Sequence, residues 1–261
     1  MHLNTFDHYQ QHRTWVHQLD PRVKVLAALL FIVSTALLPD GAWFTYLISW
    51  LLVITFGLAA HIQPWFLVKR SLLVLPFILA AVTVMFTLPG NVLWRGPWGL
   101  TISDAGLVRF LSILFRSWIS VQVAMLLTAT TRFPDLLHAL RHLHVPAILV
   151  AILAFMYRYL FVLADEVARL LNARAARSAK LPGQPAGRNV WWRARIAGNM
   201  VGQLLVRSLA RSDRVYQAML ARGYRGELLT MNPHTMTAFD WLVLGAALVG
   251  LVLLQGIARL G

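Results

Sequence analysis

The chain alternates long apolar runs with short polar punctuation. Runs near Val23–Leu38, Trp43–Ala60, Ser71–Leu88, Ile113–Thr131 and Ala238–Ala258 approach the ~20 residues that a helix needs to cross a bilayer. Pro39-Asp40-Gly41, Gln63-Pro64 and Pro89-Gly90-Asn91 separate the early ones. Trp94-Arg95-Gly96-Pro97-Trp98-Gly99 reads as an interfacial loop with aromatic anchors. A sixth run, Pro146–Ala164, holds Arg158 between two tyrosines and continues without a breaker into Asp165-Glu166 and a basic helix ending near Lys180. Asp165 stands four residues before Arg169, the favourable order for an i,i+4 ion pair. Leu181-Pro182-Gly183-Gln184-Pro185-Ala186-Gly187 then dictates a loop. A further helix is expected over roughly Ala197–Arg222. There Arg207, Arg211, Arg214 and Arg222 fall within about 80° on a helical wheel, with Leu205, Leu209, Tyr216, Met219 and Leu220 opposite. Gly223 is placed to end it.

Composition fixes the solvent. Of 261 residues, 58% are hydrophobic and 13% charged. A soluble fold could not coat its surface from so small a polar share. The chain is therefore read as an all-α integral membrane protein with about five transmembrane helices and a cytoplasmic pair of long amphipathic helices. Its polar leader is unlike a cleavable signal peptide, so the first span is expected to be retained. Cysteine is absent, which excludes disulfides, thiol nucleophiles and Cys-ligated metal. The net charge of +14 sits outside the apolar runs, pointing to cytoplasmic loops, anionic lipid or an acidic partner rather than nucleic acid.

Charge also orients the chain, because Lys and Arg favour the cytoplasmic side. With five spans and a cytoplasmic N-terminus, 20 of the 24 basic residues lie inside, leaving Arg95, Arg109, Arg116 and Arg259 outside. If Pro146–Ala164 also crossed, the basic residues would divide far more evenly, although hydropathy alone favours six spans. The expected organisation is a four-span membrane domain over 1–131, cytoplasmic helices over 132–236 and a last transmembrane helix over 237–261. Pro146–Lys180 is expected to lie along or dip into the cytoplasmic face.

Recognisable catalytic patterns are missing. No Lys follows the glycine-rich turn of a P-loop, and neither a His-Glu-x-x-His helix nor a Gly-x-Ser-x-Gly elbow occurs. ATP-driven work must then come from a partner chain. His138 and His142 share a helical face, and His2, His8, His12 and His17 crowd the leader, but neither group has a complete ligand set, so no metal site is assigned. Arg116 and Arg158 are the candidate intramembrane charges, with snorkelling to an interface as the plainer reading.

The most specific segment is Arg207–Gly226, containing Ala221-Arg222-Gly223. It resembles the signature of the transmembrane T component of energy-coupling factor (ECF) transporters, the CbiQ/EcfT family, whose members carry two short Ala-Arg-Gly motifs at the ends of cytoplasmic coupling helices. Ala221-Arg222-Gly223 matches the second. Ala176-Arg177-Ser178 occupies the place of the first, with Ser where Gly is usual, and Ala173-Arg174-Ala175 is a competing frame. Leu19-Asp20-Pro21-Arg22-Val23-Lys24, Thr128-Ala129-Thr130-Thr131, Val145-Pro146 and Tyr157-Arg158-Tyr159 extend the likeness over most of the chain.

The resemblance implies a non-catalytic subunit in the cytoplasmic membrane of a prokaryote. Its coupling helices would dock into two ABC ATPase subunits and contact a substrate-binding membrane S component (CbiM-like), serving cobalt uptake and through it cobalamin biosynthesis. ATP and Mg would be bound by the partners, with no cofactor in this chain. The implied coupling residues are Ala176, Arg177, Ser178, Ala221, Arg222 and Gly223, supported by Arg211, Arg214 and Arg158. The rival reading is a self-contained permease whose basic cytoplasmic helices regulate it or bind lipid.

Overall fold

A computed structural model describes residues 14–71, 75–87, 89, 91–95, 101–177, 190–226 and 236–260. The helices, in chain order, are α1 (Trp15–Gln18), α2 (Pro21–Ala36), α3 (Trp43–Ala59), α4 (Pro64–Ser71), α5 (Leu75–Thr87), α6 (Asp104–Thr130), α7 (Phe133–His142), α8 (Ala147–Arg177), α9 (Val190–Ala221) and α10 (Ala238–Leu260). By contacts they form two units, Met1–Leu143 with Asn232–Gly261, and His144–Met231.

Each expected span contains a helix, with shifted ends. Helix α6 begins at Asp104 rather than near Ile113, because Ser103 caps it by accepting from the Gly106 N–H at 3.0 Å. Gly106 is required for another reason: a Cβ there would stand 2.7 Å from the Met85 carbonyl oxygen, so it allows α5 and α6 to approach. Between them runs a short antiparallel pair, β1 (Val92–Arg95) and β2 (Thr101–Ser103), with Trp94 opposite Ile102. The sequence reading expected only a loop here; β-branched and aromatic residues flank a Gly-Pro-containing segment, a pattern suited to a hairpin.

Helix directions within the first unit follow from named contacts. The Lys24 Nζ donates to the Thr130 carbonyl (3.4 Å), and Thr35 Oγ1 lies 3.4 Å from Ser120 Oγ, so α2 and α6 are antiparallel. The Trp50 ring stacks on Trp118 with centroids 6.1 Å apart, and Arg116 Nε donates to the Tyr46 hydroxyl at 2.9 Å, so α3 and α6 are parallel. The Asp20 N–H donates to Asp240 Oδ1 (3.0 Å), and Gln255 Nε2 donates to the Ser34 carbonyl (2.7 Å), so α2 and α10 are also parallel. Leu38, Tyr46, Val53, Ile119, Val123 and Ala258 form the buried core here, and Ala28, Phe31 and Ile32 of α2 pack against it. Interhelical hydrogen bonds of this kind hold helices together where lipid removes the hydrophobic drive.

Among the described residues, α6, α8 and α10 are long and apolar enough to cross a membrane, and α3 is a shorter apolar helix. The fold is that of an all-α membrane protein. The second unit is a helix pair, α8 with α9. Helix α9 starts at Val190 rather than near Ala197, since no Gly or Pro interrupts Val190–Ala197.

Candidate functional site: the α8–α9 pair and its arginines

Helix α8 carries its apolar first half straight into an acidic step, Asp165-Glu166, and a basic last turn with Arg174 and Arg177. The sequence reading paired Asp165 with Arg169. Instead, Glu166 takes Arg169, three residues on, at 2.6 Å. The other carboxylate oxygen of Glu166 accepts from Arg207 NH1 of α9 at 3.0 Å. One carboxylate thus bridges its own helix and the next. Glu166 is only 14% exposed, whereas both arginines are more than half exposed.

On α9 the half-buried positions recur at Ile196, Met200, Leu204, Ser208, Arg211, Val215 and Met219, every three or four residues, as a helix packed along one stripe requires. Arg207, Arg211, Arg214 and Arg222, grouped on one side of the wheel, therefore have different surroundings. Arg207 bonds to Glu166, Arg211 belongs to the half-buried stripe, and Arg214 and Arg222 are exposed. Leu205, Leu209, Tyr216 and Leu220 are exposed as well. Arg158 is exposed on α8, and the neighbouring Tyr157 ring meets Phe161 edge-on with centroids 5.1 Å apart.

The second motif sits in a defined turn. Ala221 is the last residue of α9, and Arg222 and Gly223 follow it. The Tyr224 N–H donates to the Met219 carbonyl (3.0 Å) and the Gly223 N–H to the Leu220 carbonyl (3.0 Å), with Gly223 at φ +81°. This pair of bonds is a Schellman cap, which needs a residue in the left-handed region just past the helix. Gly223 supplies it, and Arg222 is fixed at the rigid end of the helix. Arg177 occupies the last position of α8, preceded by exposed Ala176. Ser178 and the loop Leu181–Gly187 lie outside the described residues, as do His2, His8 and His12. Within the second unit, then, each motif arginine ends its own helix, away from the Glu166–Arg207 bridge. At ~1.5 Å per residue, Arg177 is about 16 Å along α8 from Glu166, and Arg222 about 22 Å along α9 from Arg207.

Arg116, read from sequence as a candidate intramembrane charge, is a tie to a turn. Its NH2 meets Asp40 Oδ1 at 2.6 Å, and Tyr46, which accepts from Arg116 Nε, donates to the Pro39 carbonyl at 2.9 Å. His138 and His142 stack, with centroids 5.4 Å apart. Among the described residues, no group of three or more His, Cys, Asp or Glu stands ready to hold a metal ion.

Sequence reasoning missed the role of Asp240. It is buried at the start of α10, where Oδ2 accepts from Thr237 N (2.9 Å) and Thr237 Oγ1 (2.7 Å), and Oδ1 accepts from the Asp20 N–H. Asp20 in turn caps α2 by accepting from Arg22 N at 2.8 Å. The Leu19–Lys24 segment is thereby locked to the last helix. A signal was present: Thr237-Ala238-Phe239-Asp240 before an apolar run is a capping box. An apolar cleft of about 430 Å³ adjoins this lock, bounded by Phe31, Phe56, Leu127 and Leu251, with Lys24 among its lining residues.

Residues 12–233 match the CbiQ family, described as cobalt transport protein. The chain belongs to the CbiQ family. The match spans both structural units and the whole α8–α9 pair. Among curated relatives, the energy-coupling factor transporter transmembrane protein EcfT of Lacticaseibacillus paracasei is 30% identical, over 92% of this chain and 94% of that protein. The EcfT of Acidaminococcus fermentans is 29% identical, over 96% and 92%. The cobalt transport protein CbiQ of Rhodobacter capsulatus is 28% identical, over 86% of each chain. This CbiQ-family chain is a transmembrane component of an energy-coupling transporter.

Proposed function

We propose that this chain is the non-catalytic coupling subunit of an ECF-type importer, passing the motion of two ATPase subunits to a membrane S component that binds the substrate. The observation that carries the reading is the pair of arginines at the ends of two helices bridged away from those ends. Arg177 and Arg222 can each address a separate partner, and a push on either helix end reaches the other through the α8–α9 packing. An Arg set among small residues can enter a groove and make bidentate, charge-assisted bonds to carboxylates. The apolar face of Pro146–Ala164, where Ile148, Ile152 and Met156 are exposed, suits a sliding surface for the S component. Cobalt as cargo is supported by the family's description and by the Rhodobacter relative.

Helix direction supports an odd number of spans, five on this reading, and the charge split supports a cytoplasmic N-terminus. Because α2 and α10 run parallel, the chain between them must cross the membrane an odd number of times. On the five-span reading, α3, α5 and α6 make three crossings. A fourth by α8 alone would turn α10 around, and arginine-rich α9 is too polar to restore it. Helix α8 is apolar enough to span, and the reading that it lies on the cytoplasmic face instead is supported by this parity and by the 20-to-4 charge split.

The test is co-purification after expression with its genomic neighbours. The complex should carry ATPase chains, hydrolyse ATP and take up radioactive cobalt in vesicles, while the isolated chain should neither bind nor hydrolyse ATP. Saturable nucleotide binding by the isolated chain would overturn the division of labour. Uptake of cobalt by the isolated chain would favour the lone permease.

A further inference from the structure

The first turns of α9 have a property that the coupling role does not use. Val190 is 77% exposed, Trp191 81% and Trp192 42%. An exposed tryptophan pair is costly in water, because each indole leaves a large apolar ring unburied. Trp191 and Arg195 are four residues apart, so they lie one above the other on the helix. Arg195 is exposed on the same face as Trp191, whereas Trp192, four residues before Ile196, borders the half-buried stripe of Ile196, Met200 and Leu204. The surrounding sequence is basic, with Arg188, Arg193 and Arg195 close together and no Asp or Glu between Glu166 and Asp213.

We infer that the N-terminal turns of α9 form a membrane-surface anchor that binds anionic phospholipid. Tryptophan favours the boundary between headgroups and acyl chains, where its ring is in apolar surroundings and its N–H remains hydrated. A guanidinium one turn away can form two parallel bonds with a phosphate. The acid-free stretch favours a negatively charged surface over a neutral one. An acidic protein groove would also attract the arginines, but it gives no comparable reason for Trp191 to stand almost fully exposed beside Arg195, with Trp192 partly exposed next to it. The anchor would hold one end of α9 at the headgroup level, whatever docks at Arg222. It does not depend on the coupling reading.

The absence of native cysteine gives a clean test on the full chain in vesicles. A single cysteine at Val190, with both tryptophans retained, is labelled with an environment-sensitive fluorophore. In phosphatidylcholine vesicles containing phosphatidylglycerol, the probe should shift to the blue. It should also be quenched by lipid carrying a nitroxide high on the acyl chain and be shielded from aqueous iodide. Omitting phosphatidylglycerol or raising salt should weaken the lipid contact. Combining Trp191→Ser with Trp192→Ser should abolish it, and Arg195→Gln should remove its dependence on anionic lipid. A second probe at Ser212 should report water throughout. If the Val190 probe is quenched by iodide as freely as the Ser212 probe, the inference fails. It fails equally if shielding appears only when ATPase or S-component chains are added, since a protein would then be the partner.

Discussion

Glu166 and Arg207 stand 3.0 Å apart across α8 and α9, and the same carboxylate also holds Arg169. This cluster of three is built from one half-buried acid and two exposed bases, so solvent screens it and its contribution to stability is small. Its effect falls on geometry. Glu166→Gln or Arg207→Gln should broaden the distance distribution between spin labels at Asn172 and Ser212. High salt should broaden the unsubstituted chain in the same direction. An unchanged distribution in both variants would show that apolar packing alone sets the helix pair.

Arg207, tied to Glu166, is thus a poor control for charge loss in this helix pair, and Arg225 is a better one, being exposed just past the cap and outside the implied coupling residues. Arg222→Ala should weaken ATPase assembly by about 2–5 kcal/mol if its partner carboxylate is buried in the complex. Arg177→Ala should act similarly, the double variant should be worse, and Arg222→Lys should rescue poorly for want of the planar fork. Pull-down and uptake assays decide the matter. Loss of uptake in Arg225→Ala equal to that in Arg222→Ala would point to bulk charge instead.

Gly223 allows a separate test of the turn. A Cβ there meets nothing within 4 Å, so Gly223→Ala costs only the left-handed backbone, about 1 kcal/mol. The last turn of α9 should fray, seen as faster hydrogen exchange at Gly223 and Tyr224, with Arg222 chemically intact. Reduced coupling with normal expression would show that the placement of Arg222 matters as well as its charge.

Asp240 accepts from three donors, and one of them, the Asp20 N–H, is buried in the lock between α2 and α10. Asp240→Ala leaves that donor unpaired, at a cost of about 1–3 kcal/mol. Thermal unfolding in detergent should register the loss, and Asp240→Asn, which keeps an acceptor, should lose less. Equal stability of all three proteins would argue that water replaces the carboxylate.

Topology can be read from one engineered residue. A cysteine replacing Asn172, exposed near the end of α8, should resist an impermeant thiol reagent added outside intact cells and react once the membrane is opened. Labelling from outside would put α8 across the membrane and break the parity of α2 and α10.

Much of this was legible along the chain. Apolar runs with Pro/Gly punctuation gave the helices because hydrocarbon demands internally satisfied backbone. The Ala-Arg-Gly context and Gly223 marked the end of α9 because local backbone geometry alone creates that cap. The partners of charged side chains were another matter. Asp165 had the better spacing for Arg169, yet Glu166 took it, because Glu166 is also within reach of Arg207, 41 residues away. Arg116 was legible only as a candidate intramembrane charge or a snorkelling one, and its partner Asp40 comes from a turn 76 residues away. The bond from Asp20 to Asp240 spans 220 residues, beyond any local pattern. Sequence determined which long segments are helical and where α9 ends, since those choices rest on nearest neighbours and solvent. Only the tertiary structure decided which helices run parallel and which ions pair, because those depend on segments brought together by folding.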